Sequence, residues 1–210
     1  MSESNINAPD CETLLTTDVV VVGGGLVGMA VALKMAQNNI SVILLESQMP
    51  DLAMQHKSYD SRTLVVNPAS RQFWQGLGVW KKAEPSTTLI KQVHVSNQGQ
   101  FGRVLFDHNE LEVDALGHVL EAHVLGAVLW DEVKQNDHIQ LLAPATLLDF
   151  TVNDVNVIAS IDCQGEARQV EASLMVAADG AQSSIRSQLS LPFETKSYER
   201  SAIICNVSTE

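Results

Sequence analysis

The sequence predicts an α/β fold, and the order of three adjacent stretches carries that prediction. A run of four valines, Val19 to Val22, is typical of a strand covered on both faces of a sheet. It leads directly into the pattern Gly-x-Gly-x-x-Gly, and good helix formers follow over residues 29–36. Strand, glycine turn and helix in this order predict a Rossmann-like dinucleotide-binding unit.

Each glycine of this pattern has a predicted physical role. Gly23 permits the tight turn, Gly25 lets the backbone approach a diphosphate, and Gly28 lets the helix pack close to the strand. Leu26 lies in the same loop and is counted among the cofactor-binding residues. The helix that begins here directs free N–H groups and a positive dipole end at the diphosphate.

A second predicted strand, residues 41–45, ends in Glu46. A carboxylate at this place accepts hydrogen bonds from ribose hydroxyls and repels a 2′-phosphate, so the sequence favours FAD or NAD over NADP. The alternative is a glycine-rich turn in an ordinary α/β domain.

The remaining elements follow from periodicity and turn residues. Asn67 is suited to cap a helix that starts at Pro68, with an apolar face formed by Phe73, Trp74 and Leu77. Other segments are predicted as follows: a disordered lead-in at 1–17, a hairpin at 91–106, a helix at 121–133, several short strands at 139–174 and an apolar strand at 174–178.

A second motif, Asp-Gly-x-x-Ser-x-x-Arg, follows the last of these strands at residues 179–186. Gly180 permits a close turn, Ser183 is suited to cap the next helix, and Asp179 is predicted to meet the ribose or diphosphate of the same nucleotide. The alternative is a common Asp-Gly turn followed by a serine-capped helix.

Composition excludes several classes of function. A formal net charge of −12 argues against nucleic acid and against electrostatic adhesion to anionic lipid. The three cysteines are far apart and the histidines form no ligand-spaced cluster, which predicts a reduced compartment and no metal site. The polar, acidic residues 1–17 do not resemble a secretory signal. We therefore expect a cytoplasmic protein, at most peripheral at the inner membrane face.

The two motifs, in this order and separation, resemble the flavoprotein aromatic hydroxylases of the para-hydroxybenzoate hydroxylase type. Segments 90–102 and 115–121 are also similar to the ubiquinone-biosynthesis hydroxylases, most of all to the 2-octaprenyl-6-methoxyphenol hydroxylase group. The resemblance implies a Rossmann-like FAD/NAD(P)-binding domain at 18–88 and 112–190, with a β-meander at 139–172. It also implies part of an inserted β-sheet substrate domain at 89–111 and 191–210.

The resemblance extends to individual residues. It implies that Gly23, Gly25, Gly28 and Glu46 bind the FAD diphosphate and ribose, and that Asp179 and Gly180 touch the same cofactor. Residues 59–62 resemble the family segment whose arginine contacts the flavin, which implies that role for Arg62. The alternative for Arg62 is a solvated loop arginine. No catalytic residue is assigned.

The activity that the resemblance implies is hydroxylation of a polyprenylated phenol by oxygen, with FAD as cofactor and NAD(P)H as reductant, within a quinone-biosynthesis protein assembly. Family members carry a further Gly-Asp motif in their second half, so the chain is expected to be an N-terminal half that is inactive alone. Two alternatives stay open: another FAD-dependent oxidoreductase such as a prenyl reductase, and an inactive fragment or interaction module.

Overall fold

The computed structural model describes residues 14–49 and 62–201. Contacts divide these residues into two compact units, which we describe separately: residues 14–49 with 133–191, and residues 62–132 with 192–201. Most of the predicted lead-in, and Tyr59, Asp60 and Ser61 of the segment ahead of Arg62, lie outside the described residues.

The described chain contains the following elements. The strands are β1 (Leu14–Val22), β2 (Val42–Leu45), β3 (Thr63–Val66), β4 (Thr88–Ile90), β5 (Gln92–Ser96), β6 (Arg103–Asp107), β7 (Gly117–Glu121), β8 (Ile139–Leu142), β9 (Ala145–Val152), β10 (Val157–Cys163) and β11 (Glu166–Ala177). The helices are α1 (Leu26–Ala36), α2 (Pro68–Gly76), α3 (Trp80–Ala83), α4 (Ala122–Lys134) and α5 (Ser184–Gln188), with a 3₁₀ turn at Glu84–Ser86.

The first unit is built on a six-stranded sheet in the order β8-β2-β1-β11-β10-β9. The first four strands run parallel to their neighbours, and β10 and β9 continue the sheet antiparallel. All four residues of β2 are buried, as are Val19 to Val22 of β1, because both faces of a parallel sheet are covered. This confirms the predicted α/β class.

Two strand boundaries differ from the prediction. β1 begins at Leu14 and not at residue 18, so residues 14–17 belong to the sheet and not to a disordered lead-in. β11 is a single strand of 12 residues where the sequence suggested a short strand followed by a separate apolar one. It pairs with both β1 and β10, so pairing on both sides keeps its polar first half extended.

The carboxyl ends of the central strands meet at one edge of the sheet. The Gly23 N–H donates to the Leu45 carbonyl at 2.8 Å, and the Ala178 N–H donates to the Val22 carbonyl at 2.8 Å. These two bonds fix the loops that follow β1, β2 and β11 next to one another. Ligands of open α/β sheets bind outside this edge.

The second unit holds a three-stranded antiparallel sheet, β3-β7-β4, and the separate hairpin of β5 and β6. Trp80 is buried in this unit and packs edge-on against the buried His118, with ring centroids 5.0 Å apart. The predicted apolar face of α2 was wrong in part, since Phe73 is exposed. The turn after α2 instead brings Trp80 into the core, and helical spacing cannot show that turn.

The two units do not follow the predicted domain bounds. Residues 62–88 and 112–132 group with the hairpin segment in the second unit, whereas the sequence assigned them to the FAD-binding domain. The domain assignment refers to a longer family architecture and stays a prediction. None of the helices in the described ranges is long and apolar enough to cross a membrane.

The cap of α2 yields a test of the second unit. Asn67 accepts a hydrogen bond from the Ser70 N–H at 2.8 Å, as predicted for a capping residue. Asn67→Ala removes the acceptor and should lower the unfolding free energy of this unit by about 1 kcal/mol. Asn67→Asp keeps an acceptor, so its unfolding free energy should stay near that of wild type. Urea titrations of the three proteins measure this. Equal losses in both variants would contradict the capping role.

Candidate nucleotide-binding site

A cleft of about 390 Å³ opens at the carboxyl edge of the sheet in the first unit. Its walls come from the glycine loop after β1, the end of β2, the start of β9 and the turn after β11. The lining residues are Val22, Gly23, Gly25, Leu45, Glu46, Ser47, Ala145, Thr146, Leu147, Ala178, Asp179, Gly180 and Ser184. Residues that are distant in sequence therefore share one surface.

Two glycines of the loop are required by its own packing. Gly23 has φ +108°, and a Cβ there would lie 2.4 Å from the Ala178 carbonyl oxygen. A Cβ on Gly28 would lie 1.8 Å from the Gly23 carbonyl oxygen. No side chain fits at either distance, so these glycines permit the contact between turn, helix and β11.

Gly25 differs from its neighbours because packing does not require it. Its φ of −71° suits any residue, and a Cβ there would meet no atom within 4 Å. Gly25 is the N-cap of α1 and lines the cleft, but it has no side chain to cap the helix. The first turn of α1 holds no acidic side chain. The open space above this helix N-terminus fits an anionic group such as a diphosphate.

Glu46 ties the end of β2 to the glycine loop. Its Oε2 accepts from the Gly24 N–H at 2.7 Å, and its Oε1 accepts from the Gln48 N–H at 2.8 Å. Oε1 also accepts from the Ser47 hydroxyl at 3.2 Å. An ionised carboxylate offers about four acceptor positions, so Oε2 keeps capacity for one hydroxyl in the cleft. The same side chain can hold the loop and accept from a ribose.

Asp179 caps the short helix that follows it. Its Oδ2 accepts from the Ser184 N–H at 2.8 Å and from the Ile185 N–H at 3.3 Å, while Ser183 Oγ accepts from the Arg186 N–H at 3.0 Å. These contacts are those of a serine-capped helix after an Asp-Gly turn, the alternative given for this motif in the sequence analysis. Asp179 and Gly180 nevertheless line the cleft, and Gly180 has φ +84°.

The pKa of the Asp179 carboxyl reflects two opposing effects. Partial burial acts to raise it, but hydrogen bonds from the Ser183 side chain and from the Ile185 and Ser184 N–H groups outweigh burial and lower the pKa below 3.8. The carboxylate is therefore charged at neutral pH, which suits an acceptor for hydroxyl groups.

Three of the predicted site residues do not line the cleft. Leu26 is the first residue of α1 and Gly28 lies beneath the loop, and a contact of either with the cofactor stays a prediction. Arg62 belongs to the second unit, where it is exposed and its carbonyl oxygen accepts from the Ala122 N–H at 2.9 Å. Its contact with a flavin stays a prediction.

Sequence reasoning missed two parts of the site. The Gly24 N–H donates to Glu46, and a Cβ on Gly24 would lie 2.8 Å from the Glu46 Cβ, so the close contact with Glu46 requires this middle glycine of the triplet. The start of β9, at Ala145 to Leu147, forms a wall of the cleft. These are ordinary strand residues, and only the sheet order brings them near Glu46.

Comparison with known proteins identifies the family. The model of the FAD-binding domain family matches residues 16–209. The chain belongs to this family. Its predicted cofactor, FAD, is thereby confirmed. Within the described ranges, no group of three or more His, Cys, Asp or Glu side chains is placed to hold a metal ion.

Similar proteins of known name include hydroxylases of ubiquinone biosynthesis. The 3-demethoxyubiquinol 3-hydroxylase of Escherichia coli is 27% identical over 194 residues, covering 92% of this chain and 49% of that protein. The mitochondrial ubiquinone biosynthesis monooxygenase COQ6 of Dictyostelium discoideum is 26% identical over 210 residues, covering 90% and 42%. The chain spans about half the length of the curated relatives it matches, and the predicted resemblance is confirmed.

Solved structures confirm the predicted fold. The p-nitrophenol 4-monooxygenase PnpA of Pseudomonas putida superposes with a TM-score of 0.72 at 20% identity, covering 86% of this chain and 45% of that one. The flavin-dependent monooxygenase PieE, solved with FAD and substrate, gives a TM-score of 0.69 at 19% identity, covering 87% and 33%.

The Gly24 contact can be tested without any ligand. Gly24→Ala places a methyl group 2.8 Å from the Glu46 Cβ and must displace that side chain. We expect a loss of about 1–3 kcal/mol in unfolding free energy, since overpacking of this kind typically costs that much. The double variant Gly24→Ala, Glu46→Gly removes the Glu46 Cβ that the new methyl group would meet, so it should lose less than the two single variants added together. Strict additivity in denaturant titrations would disprove the contact.

The lowered pKa of Asp179 predicts a pH dependence. Because the folded state lowers this pKa, the charged carboxylate stabilises the fold above about pH 4, and that stabilisation disappears as pH falls through the folded value. Wild type should therefore be more stable than Asp179→Asn at pH 6, and the difference should shrink towards pH 3. Thermal melts of both proteins across this range measure it, and a difference independent of pH would refute it.

Proposed function

We propose that this chain forms the FAD-binding part of a flavin-dependent hydroxylase of ubiquinone biosynthesis, acting on a polyprenylated phenol. One observation carries the proposal: the open N-terminus of α1 at Gly25 shares a single cleft with the carboxylates of Glu46 and Asp179. That arrangement combines an anion site with two acceptors for hydroxyl groups. The names of the curated relatives support the pathway and the reaction.

Each residue has a distinct task in this proposal. The N–H groups at the start of α1 bind the FAD diphosphate beside Gly25, where no side chain intervenes. Glu46 accepts from a ribose hydroxyl with the acceptor position that remains on its Oε2. Asp179 and Gly180 contact the cofactor on the β11 side of the cleft, and Arg62 offsets negative charge on the flavin or diphosphate.

When bound, FAD supplies the redox chemistry that activates oxygen, with NAD(P)H as the reductant. The chain holds and orients the cofactor, and it excludes water from the hydrogen bonds between the cofactor and the cleft. A polyprenyl tail favours membranes, so we also propose peripheral contact with the inner membrane face and with other proteins of quinone synthesis.

The reaction is tested on the longer polypeptide that the relatives' lengths indicate. A prenylated phenol should stimulate NAD(P)H oxidation, consume oxygen and yield a hydroxylated product. Oxidation without that product would contradict the hydroxylase assignment. Reduction of the prenyl chain without oxygen uptake would instead identify a prenyl reductase that uses the same FAD site.

Gly25 allows binding to be separated from folding. In Gly25→Ala the new methyl group meets no protein atom within 4 Å, so the melting temperature should be unchanged. The methyl group would occupy space assigned to the diphosphate, and FAD affinity should fall by roughly 10- to 100-fold, that is about 1.4–2.8 kcal/mol.

Gly76→Ala is the matched control for Gly25→Ala. A Cβ at Gly76 also meets no atom within 4 Å, but this residue lies at the end of α2 in the second unit. Both variants should fold, with Gly76→Ala melting at or slightly above wild type because alanine favours a helix over glycine, and only Gly25→Ala should bind FAD weakly in a flavin fluorescence titration. Normal FAD affinity in Gly25→Ala would show that the diphosphate does not bind at this loop.

Glu46→Gln tests the ribose contact. The change keeps the shape but removes the charge, and charge-assisted hydrogen bonds contribute about 1.5–3 kcal/mol. FAD affinity should fall by roughly 10- to 100-fold, and Glu46→Arg should lower it further because an acceptor becomes a donor. Apoprotein titrated with FAD gives both values. Unchanged affinity in Glu46→Gln would show that β2 does not end at the ribose.

A further inference from the structure

His118 is an ionisable residue in the interior of the second unit. It lies on β7, the middle strand of the three-stranded sheet, between Val66 of β3 and Leu89 of β4. Its side chain is 4% exposed, and Trp80, the first residue of α3, is 1% exposed where the two rings pack edge-on. The contact between these two rings therefore holds α3 against the sheet.

The buried nitrogen atoms of this ring pair lack hydrogen-bond partners. Within residues 14–49 and 62–201, no partner is present for His118 Nδ1 or for Trp80 Nε1. A neutral imidazole can carry its proton on the other nitrogen, whereas an imidazolium is a donor at both nitrogens. Protonation of His118 would thus create a buried N–H that no described residue accepts, and an unsatisfied donor of this kind destabilises the folded state.

The surroundings of the ring also favour its neutral form. Burial lowers the pKa of His118 below its usual value of 6.5, and the positive charge of Arg71 on α2 lowers it further, against a smaller opposing effect of Glu84. Arg71 Nη2 donates to Glu84 Oε1 at 3.0 Å, so this carboxylate is already paired with a cation. The guanidinium of Arg71 lies 5.8 Å from the centroid of the Trp80 ring.

Other charged side chains on the neighbouring elements have partners elsewhere or are exposed. Lys82 of α3 pairs with Glu132 of α4, Lys81 is exposed, and Glu121 at the end of β7 pairs with His123. The neighbours of His118 on β3 and β4 are apolar. In the described part of the chain, Arg71 and Glu84 are thus the ionised groups that act on the ring.

We propose that His118 is an acid-sensitive lock between β7 and α3: the neutral ring holds Trp80 in the core, and protonation of the ring releases Trp80 and α3 from the sheet. Because the folded state lowers the pKa of His118, the stabilisation is complete above about pH 6.5 and decreases as pH falls below that value. This range lies above the range in which Asp179 titrates. The inference does not depend on the hydroxylation proposed above.

An NMR titration of this chain from about pH 8 to about pH 5 follows the His118 ring and the indole N–H groups of Trp80 and Trp130, which is also buried. After correction for the intrinsic exchange rate at each pH, the opening constant of Trp80 should rise by up to about tenfold per pH unit below 6.5, while that of Trp130 stays constant.

Three results of this titration would overturn the proposal. The first is a pKa of His118 at or above 6.5 in the folded protein. The second is exchange of the Trp80 indole that does not depend on pH after the correction. The third is a pH dependence that Trp130 shares, because the transition would then be general unfolding.

His118→Phe keeps an aromatic ring beside Trp80 and removes the group that titrates. The opening constant of Trp80 should then be independent of pH over the same range. His94→Phe is the matched control, because His94 belongs to the same unit but is exposed on β5, and this variant should keep the wild-type pH dependence. A pH dependence that survives in His118→Phe would refute the assignment.

Arg71→Gln tests the lock even if His118→Phe does not fold. The change removes the partner of Glu84, so the imidazolium is favoured, the pKa of His118 should rise towards 6.5, and the pH dependence of Trp80 exchange should weaken. Arg168→Gln removes an arginine that pairs with Glu166 in the first unit, and it should leave this pH dependence unchanged. Wild-type pH dependence in Arg71→Gln would contradict the lock.

Discussion

The close contact between Gly28 and the Gly23 carbonyl is the constraint on which the site depends. A Cβ at Gly28 would lie 1.8 Å from that oxygen, and a Cβ at Gly23 would lie 2.4 Å from the Ala178 carbonyl. The first contact sets where α1 begins, and the second sets how near the loop lies to the end of β11. Only hydrogen atoms fit in these places. The position of the anion site relative to Asp179 thus follows from backbone packing.

Glu46 and Asp179 illustrate how structural and binding roles share one side chain. Each carboxylate accepts from backbone N–H groups, Glu46 from the glycine loop and Asp179 from the start of α5. These bonds fix the carboxylates before any ligand arrives, which reduces the entropy lost on binding. Each of these two residues can therefore have a structural role and a binding role at the same time.

The sequence predicted the parts of this fold that local chemistry determines. The valine run, the spaced glycines and the Asn67 cap were readable because each requires particular residue types at particular spacings. The single long β11 and the early start of β1 were not readable, because pairing between distant segments decides them. The burial of Trp80 in place of Phe73 likewise depends on the turn after α2, whose direction cannot be predicted from the spacing of apolar residues.

The same distinction applies to the site. Gly23, Gly25, Glu46, Asp179 and Gly180 were predicted from two motifs, and the structure places all five around one cleft. Ala145 to Leu147 carry no such pattern, since they contribute only the path of their backbone. They reach the cleft because β2 lies between β1 and β8, and β9 starts directly after β8. A motif thus predicts the groups that must have a given chemistry, whereas sheet order determines which ordinary residues enclose them.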